Sequence, residues 1–179
     1  TLENNTGATV ENGANANTAV GSHAMRGTAA YHHASGNTAL GDSAMRYLKS
    51  TMATQTNNNT AVGVFALGYL DGATNNVAVG YGAGAKLTSS ERNVCVGADT
   101  LSLATTPCHG NVCVGSRAGK AIGNESMGCI AIGEDAMYST SVRKMISCIA
   151  IGDHSASNLG GGSENVVCIG SQSGSLFDS

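Results

Sequence analysis

Asn93-Val94-Cys95-Val96-Gly97 is followed by Asn111-Val112-Cys113-Val114-Gly115, and the same five-residue phrase runs the length of the chain. It stands as Asn-Thr-Ala-Val-Gly at 17–21 and 59–63, Asn-Thr-Ala-Leu-Gly at 37–41 and Asn-Val-Ala-Val-Gly at 76–80. Later copies read Cys-Ile-Ala-Ile-Gly at 129–133 and 148–152, and Val-Val-Cys-Ile-Gly at 166–170. The closing glycines are Gly21, Gly41, Gly63, Gly80, Gly97, Gly115, Gly133, Gly152 and Gly170, spaced by 17 to 22 residues. A period of this size predicts a solenoid in which each copy is one coil that buries its apolar face only when the next coil stacks on it.

Working outward from the glycine, the columns are regular. Two residues before it stand only Ala or Cys: Ala19, Ala39, Ala61, Ala78, Cys95, Cys113, Ala131, Ala150 and Cys168. Bulkier residues flank that column, Val20 through Ile169 after it and Thr18 through Val167 before it. Large, small, large at a period of two predicts a parallel β-strand buried on both faces, with the Val and Ile columns supplying the core and the Ala/Cys column allowing close approach of a second backbone. Glycine turns the corner, through a tight bend or positive φ. Three residues on, the small column Ala24, Ala44, Ala66, Ala83, Thr100, Ala118, Ala136, Ser155 and Ser173 is expected to open a second, shorter strand. Each coil then reads as strand, corner, strand and return loop, and Ala44 to Lys49 reads as strand rather than helical turn.

Four residues before the glycine, Asn17, Asn37, Asn59, Asn76, Asn93 and Asn111 form a column over the first six coils. Two explanations stand side by side: a hydrogen-bonded ladder of stacked amides, or strand starts that use the turn geometry Asn tolerates.

Composition narrows the function. The chain has 179 residues, 25 glycines, two Phe, no Trp and a net charge of -3. Nine Lys and Arg supply no basic stripe for a phosphate backbone, so nucleic acid is not an expected partner. No apolar run approaches the roughly 18 residues of a membrane span, and the start carries no signal-peptide pattern, so no membrane insertion is expected. Thr1 in place of Met predicts a piece of a longer chain. Residues 1–16 are expected to cap the rod or connect it to a preceding segment, and residues 17–179 to form the repeat domain.

Chemistry-bearing residues follow the repeat rather than a catalytic pattern. Cys95, Cys113 and Cys168 sit in the Ala column, Cys129 and Cys148 in the Asn column, and Cys108 in a loop. Packing alone accounts for such thiols, and without a CxxC pair neither zinc nor any other cofactor is expected. The histidines His23, His32, His33, His109 and His154 are scattered over corners and loops with no metal-ligand spacing. No nucleophile elbow, phosphate loop or HExxH occurs.

The phrases Asn-Thr-Ala-Val-Gly-x-x-Ala and Asn-Val-Ala-Val-Gly-x-x-Ala resemble the head repeats of YadA-type trimeric autotransporter adhesins, and more closely the similarly phrased repeats of bacteriophage tail fibres. The resemblance spans about residues 17 to 175. It implies a left-handed parallel β-roll of about nine coils, three copies of which associate about a common axis into a rigid, non-enzymatic fibre segment that projects or forms a host-binding surface. It further implies a virion location, or alternatively a bacterial cell surface. The implied partners are two further copies of the chain, a host glycan or protein receptor, and other fibre or baseplate proteins. The adhesin repeat is usually shorter, and no coiled-coil stalk is recognisable, which favours the viral fibre.

Direct recognition is expected in the longer loops, with Tyr31, His32, His33, Arg46, Tyr47 and Tyr69 as contact candidates, since aromatic and Arg residues concentrate at recognition surfaces. Two other classes compete. A hexapeptide left-handed β-helix acyltransferase, with His109 or His154 as the candidates for its catalytic histidine between subunits, needs an aliphatic residue every six positions, and that register fails at Ser102 and Cys108. An ice-binding solenoid needs a flat Thr face, but the column Thr18, Thr38 and Thr60 passes into Val77, Val94 and Val112.

Overall fold

The computed structural model describes residues 16–27, 34–50, 53–105, 107–120, 122–141, 143–159 and 162–175. Apart from Ala16, the expected N-terminal cap lies outside them, as do Tyr31, His32 and His33. The architecture is a parallel β-solenoid of about eight turns. Its principal sheet has nine strands, each one copy of the phrase: β1 (Thr18–Val20), β2 (Thr38–Leu40), β4 (Thr60–Val62), β6 (Val77–Val79), β7 (Val94–Val96), β8 (Val112–Val114), β10 (Ile130–Ile132), β12 (Ile149–Ile151) and β14 (Val167–Ile169), stacked in that order. The register is column on column, with Ala78 opposite Cys95 and Cys95 opposite Cys113.

The sheet corrects the expectation about which column is core. Ala39, Ala61, Ala78, Cys95, Cys113, Ala131 and Ala150 are fully buried, whereas their aliphatic neighbours lie on the outer face. Val20, Leu40, Val79, Ile132, Ile151 and Ile169 are between 37 and 66% exposed. The strand is therefore buried on one face in the single chain. Small residues point inward because the opposite wall of the coil is close, leaving room for a methyl or a thiol but not for a column of isoleucines.

The opposite wall also departs from expectation. The four residues after each corner glycine form no strand; they make a turn tract in which the second and fourth residues are left-handed. His23 and Met25, Ser43 and Met45, Phe65 and Leu67, Asp99 and Leu101, and Asp135 and Met137 have φ between +46° and +59°. A side chain in this region costs about 1–2 kcal/mol per residue, but the alternation aims successive amides at different coils. The second residue donates backward (Ser43 N to Ser22 O, 2.7 Å; Asp99 N to Tyr81 O, 2.8 Å), and the fourth donates forward (Met45 N to Ala66 O, 3.0 Å; Leu67 N to Ala83 O, 2.9 Å). The tract thus satisfies its backbone through neighbouring coils, as the sheet does. The small column Ala24 through Ser155 is buried here, with Met45, Leu67, Leu101 and Met137 filling the core beside it.

The corner glycines are steric requirements. Gly97 has φ +126°, and a Cβ placed on it would lie 2.6 Å from the carbonyl oxygen of Gly115 on the next coil; Gly41, Gly63, Gly80 and Gly133 stand in the same relation to their successors.

The asparagine column is a ladder. The Asn59 Oδ1 accepts both the backbone N–H and the side-chain amide of Asn76, each at 3.0 Å, and Asn76 repeats this to Asn93. Each Nδ2 also reaches a carbonyl of the return segment, Asn59 to Ala73 O and Asn76 to Ser90 O, both 2.8 Å. Asn37 through Asn111 are wholly buried with these bonds made. The ladder ends where the Asn111 Oδ1 accepts the backbone N–H of Cys129 at 2.9 Å.

Two smaller sheets lie in the remaining parts of the coils. β3 (Tyr47–Lys49) pairs with β5 (Tyr69–Asp71), confirming a strand at the end of Ala44–Lys49. Farther along, β9 (Ile122–Met127), β11 (Arg143–Ile146) and β13 (Ser163–Glu164) form a three-stranded sheet. No helix occurs among the described residues, and none is long and apolar enough to cross a membrane.

Candidate functional site

Two surfaces stand out on the rod. The first is the outer face of the nine-stranded sheet, a continuous band of Val, Ile, Leu and Thr. With strands about 4.8 Å apart it extends roughly 40 Å. Parallel sheets are ordinarily covered on both faces, and contiguous apolar patches above a few hundred Å² mark interaction surfaces. The described residues of the single chain leave this band open.

The second surface is built on β3 and β5. Both strands read Tyr-Leu-charged, so alternation turns Leu48 and Leu70 into the core and puts Tyr47, Tyr69, Lys49 and Asp71 on the outside. In-register pairing stacks Tyr47 on Tyr69, with ring centroids 4.5 Å apart and planes 8° from parallel. The same register brings Lys49 Nζ to 3.0 Å from Asp71 Oδ2. Phe65 meets the edge of Tyr69 at 5.4 Å, in space left by Gly68, whose absent Cβ would lie 2.6 Å from the Phe65 ring. Arg46 lies over the Tyr47 ring, its guanidinium carbon 5.1 Å from the ring centroid.

Three shallow cavities line this surface and share residues end to end. One of about 350 Å³ is lined by Arg26, Gly27, Arg46 and Tyr47. The next, about 320 Å³, lies among Tyr47, Lys49, Tyr69, Leu70, Asp71 and Thr88. The last, about 290 Å³, lies among Tyr69, Lys86, Thr88 and Thr105. The structure therefore brings Arg46, Tyr47 and Tyr69 together, as three of the six contact candidates, and adds Arg26 and Lys86. Arg26 was legible in the repeat: it and Arg46 both stand five residues after their corner glycines, as Tyr47 and Tyr69 both stand six after theirs.

The remaining ionisable groups serve other ends. Arg117 Nε lies 2.6 Å from Asp135 Oδ1, and its Nη2 lies 3.0 Å from Glu134; hydrogen bonding and charge from Asp135 raise the guanidinium above its usual range. His154 contacts Asp153 at 2.7 Å and Asp135 at 3.5 Å. His109 lies in an isolated bridge pairing Glu91 on one side and Met127 on the other.

All six cysteines are free thiols and all are buried. Cys108 lies in a return loop, as expected, and there occupies a buried inward column with Thr56, Ala73, Ser90 and Ser126, because the return segments also stack in register. Burial pushes Cys108 and Cys129 up to about 11, and Cys95 and Cys113 well above the usual thiol range. No group of three or more His, Cys, Asp or Glu side chains among the described residues is arranged to hold a metal ion.

The fold places the chain in the class of parallel β-solenoids. No family model matches it, and no curated protein or solved structure matches it significantly.

Proposed function

We propose that this chain is a non-enzymatic structural segment of an attachment fibre, three copies of which pack their aliphatic sheet faces around a common axis and hold the Tyr47/Tyr69 surface outward. The observation that carries the reading is the open aliphatic band. A rod this thin buries little alone, and cyclic closure removes apolar surface along its entire length. The repeat's resemblance to phage tail fibres and trimeric adhesin heads favours three copies, a virion location and a host glycan or protein receptor, with other fibre or baseplate proteins joined at the rod ends.

Relative to the sequence-based expectation, the contact between copies moves from the Ala/Cys column to the Val/Ile columns. The test is Val79→Asp combined with Ile132→Asp, two outward positions in central coils. Sedimentation should show an assembly for the parent and single chains for the variant, with the β-sheet circular dichroism retained. An assembly unchanged by both charges would overturn this interface.

A further inference from the structure

We propose that the groove running from Arg26 to Lys86 binds an acidic oligosaccharide, with its carboxylate or sulfate seated between the guanidinium groups of Arg26 and Arg46. The inference rests on the reading of the chain as an attachment segment and names the chemistry that segment would recognise.

Four observations converge on the Arg26/Arg46 end. The two arginines occupy the same column on successive coils, and both line the 350 Å³ cavity. Neither forms an ion pair among the described residues, whereas Lys49, Arg92, Arg117 and Lys144 all do. The sequence itself is poor in counter-charge here: Asp42 is the sole carboxylate between Glu11 and Asp71. Finally, the Nε of Arg46 is buried without a hydrogen-bond partner, although the group carries five donors in a fixed fork. An unpaired buried donor is destabilising; a bound oxyanion would satisfy it. The cation–π contact with Tyr47 restrains the guanidinium, so less freedom is lost when an anion arrives.

The rest of the groove argues for an extended ligand rather than a free ion. Beyond the arginines come the edges of two tyrosines, the Lys49–Asp71 pair, the Thr88 side chain and the ammonium of Lys86, through cavities that share Tyr47 and then Tyr69. Alternating apolar edges and hydrogen-bonding groups suit sugar rings, which present CH and hydroxyl groups in alternation, while the two cationic ends admit acidic groups.

The experiment is titration of the full-length assembled protein, by calorimetry or ligand-observed NMR, with a sialylated trisaccharide, a sulfated heparin tetrasaccharide, neutral lactose and inorganic sulfate. Binding of either acidic oligosaccharide, weakened by salt and at least about tenfold tighter than lactose or inorganic sulfate, is the expected result. The better of the two acidic ligands tells carboxylate from sulfate. Arg46→Gln should weaken that binding about tenfold or more. Because Arg46 also packs on Tyr47, Arg26→Gln, at an exposed position, should give a comparable loss with an unchanged unfolding temperature. Arg92→Gln should leave binding unaltered.

Equal binding of lactose, inorganic sulfate as tight as the oligosaccharides, or acidic binding indifferent to both arginine variants would each overturn the proposal. Failure here separates from failure of the fibre reading: an assembled rod that ignores acidic glycans removes this site alone, and a single chain that binds them removes the fibre alone.

Discussion

The coils from Asn17 to Asn111 and those from Cys129 onward share one sheet, one corner glycine and one inward column, yet they are held together differently. In the first group an amide at each coil, buried from Asn37 onward, ties the sheet to the return segment, its Oδ1 accepting two hydrogen bonds from the next coil, or one at Asn111, and its Nδ2 donating. In the second, Cys129, Cys148 and Val166 stand in that column, and the thiols make long sulfur contacts to carbonyl oxygens, at 3.4 to 3.7 Å. The return segment compensates. The isolated bridges Thr74–Glu91, Glu91–His109 and His109–Met127 widen past that point into the sheet of β9, β11 and β13. A solenoid can thus close its coil through buried side-chain amides or through backbone pairing, and the sequence changes from one device to the other at a single column.

The largest expected effect falls where the two groups are alike. Gly97→Ala in the amide coils and Gly133→Ala in the thiol coils should each cost about 3 kcal/mol or more, since both demand a glycine-only φ and both press a methyl into the next carbonyl. Denaturant unfolding checks this, and a tolerated Gly97→Ala would break the shared-corner half of the comparison.

Next comes Asn93→Ala, which strips the Asn111 backbone N–H and two amide contacts of their partners in a dry site; a loss of about 2–4 kcal/mol is expected. Cys148→Ala, in the matching column, should cost about 1 kcal/mol as removal of one small packed atom. Equal losses would mean that the amide ladder contributes no more than packing.

The buried thiols of both groups give a pH response. A thiol whose folded pKa lies above its unfolded value of 9.0 keeps its full contribution below pH 9, and that contribution is lost as the pH rises from 9 through about 11, where the unfolded chain has already given up its proton. The unfolding temperature should therefore fall over that window, and less steeply in a Cys108→Ala, Cys129→Ala double variant. A thiol reagent at pH 8 should leave the native cysteines unmodified and label all six after denaturation. The smallest expected effect is that of Cys129→Asn, which extends the ladder by one coil; a change between zero and about 1 kcal/mol of added stability is expected in the same denaturant assay.

Much of this was legible once residues were numbered from the corner glycines. All nine principal strands, their register and the Asn column follow from the phrase. The inward direction of Ala and Cys did not, because a period of two separates faces without assigning them, and here both faces are apolar. The turn tract was hidden for a related reason: Met45, Phe65 and Leu67 carry no sign of left-handed backbone, which is imposed by hydrogen bonds to neighbouring coils rather than by local preference. At the candidate site, Tyr47 over Tyr69 and Arg26 beside Arg46 could be read as repeated columns. The unpaired Arg46 Nε could not, since an absent partner is a property of three-dimensional surroundings.

The central claim is that the outward Val and Ile columns are an interface between copies of the chain. The most direct measurement is the mass of the assembled protein in native solution, by mass spectrometry or sedimentation equilibrium. Three chain masses, stable on dilution, are the predicted result. A single chain mass at micromolar concentration would contradict the account.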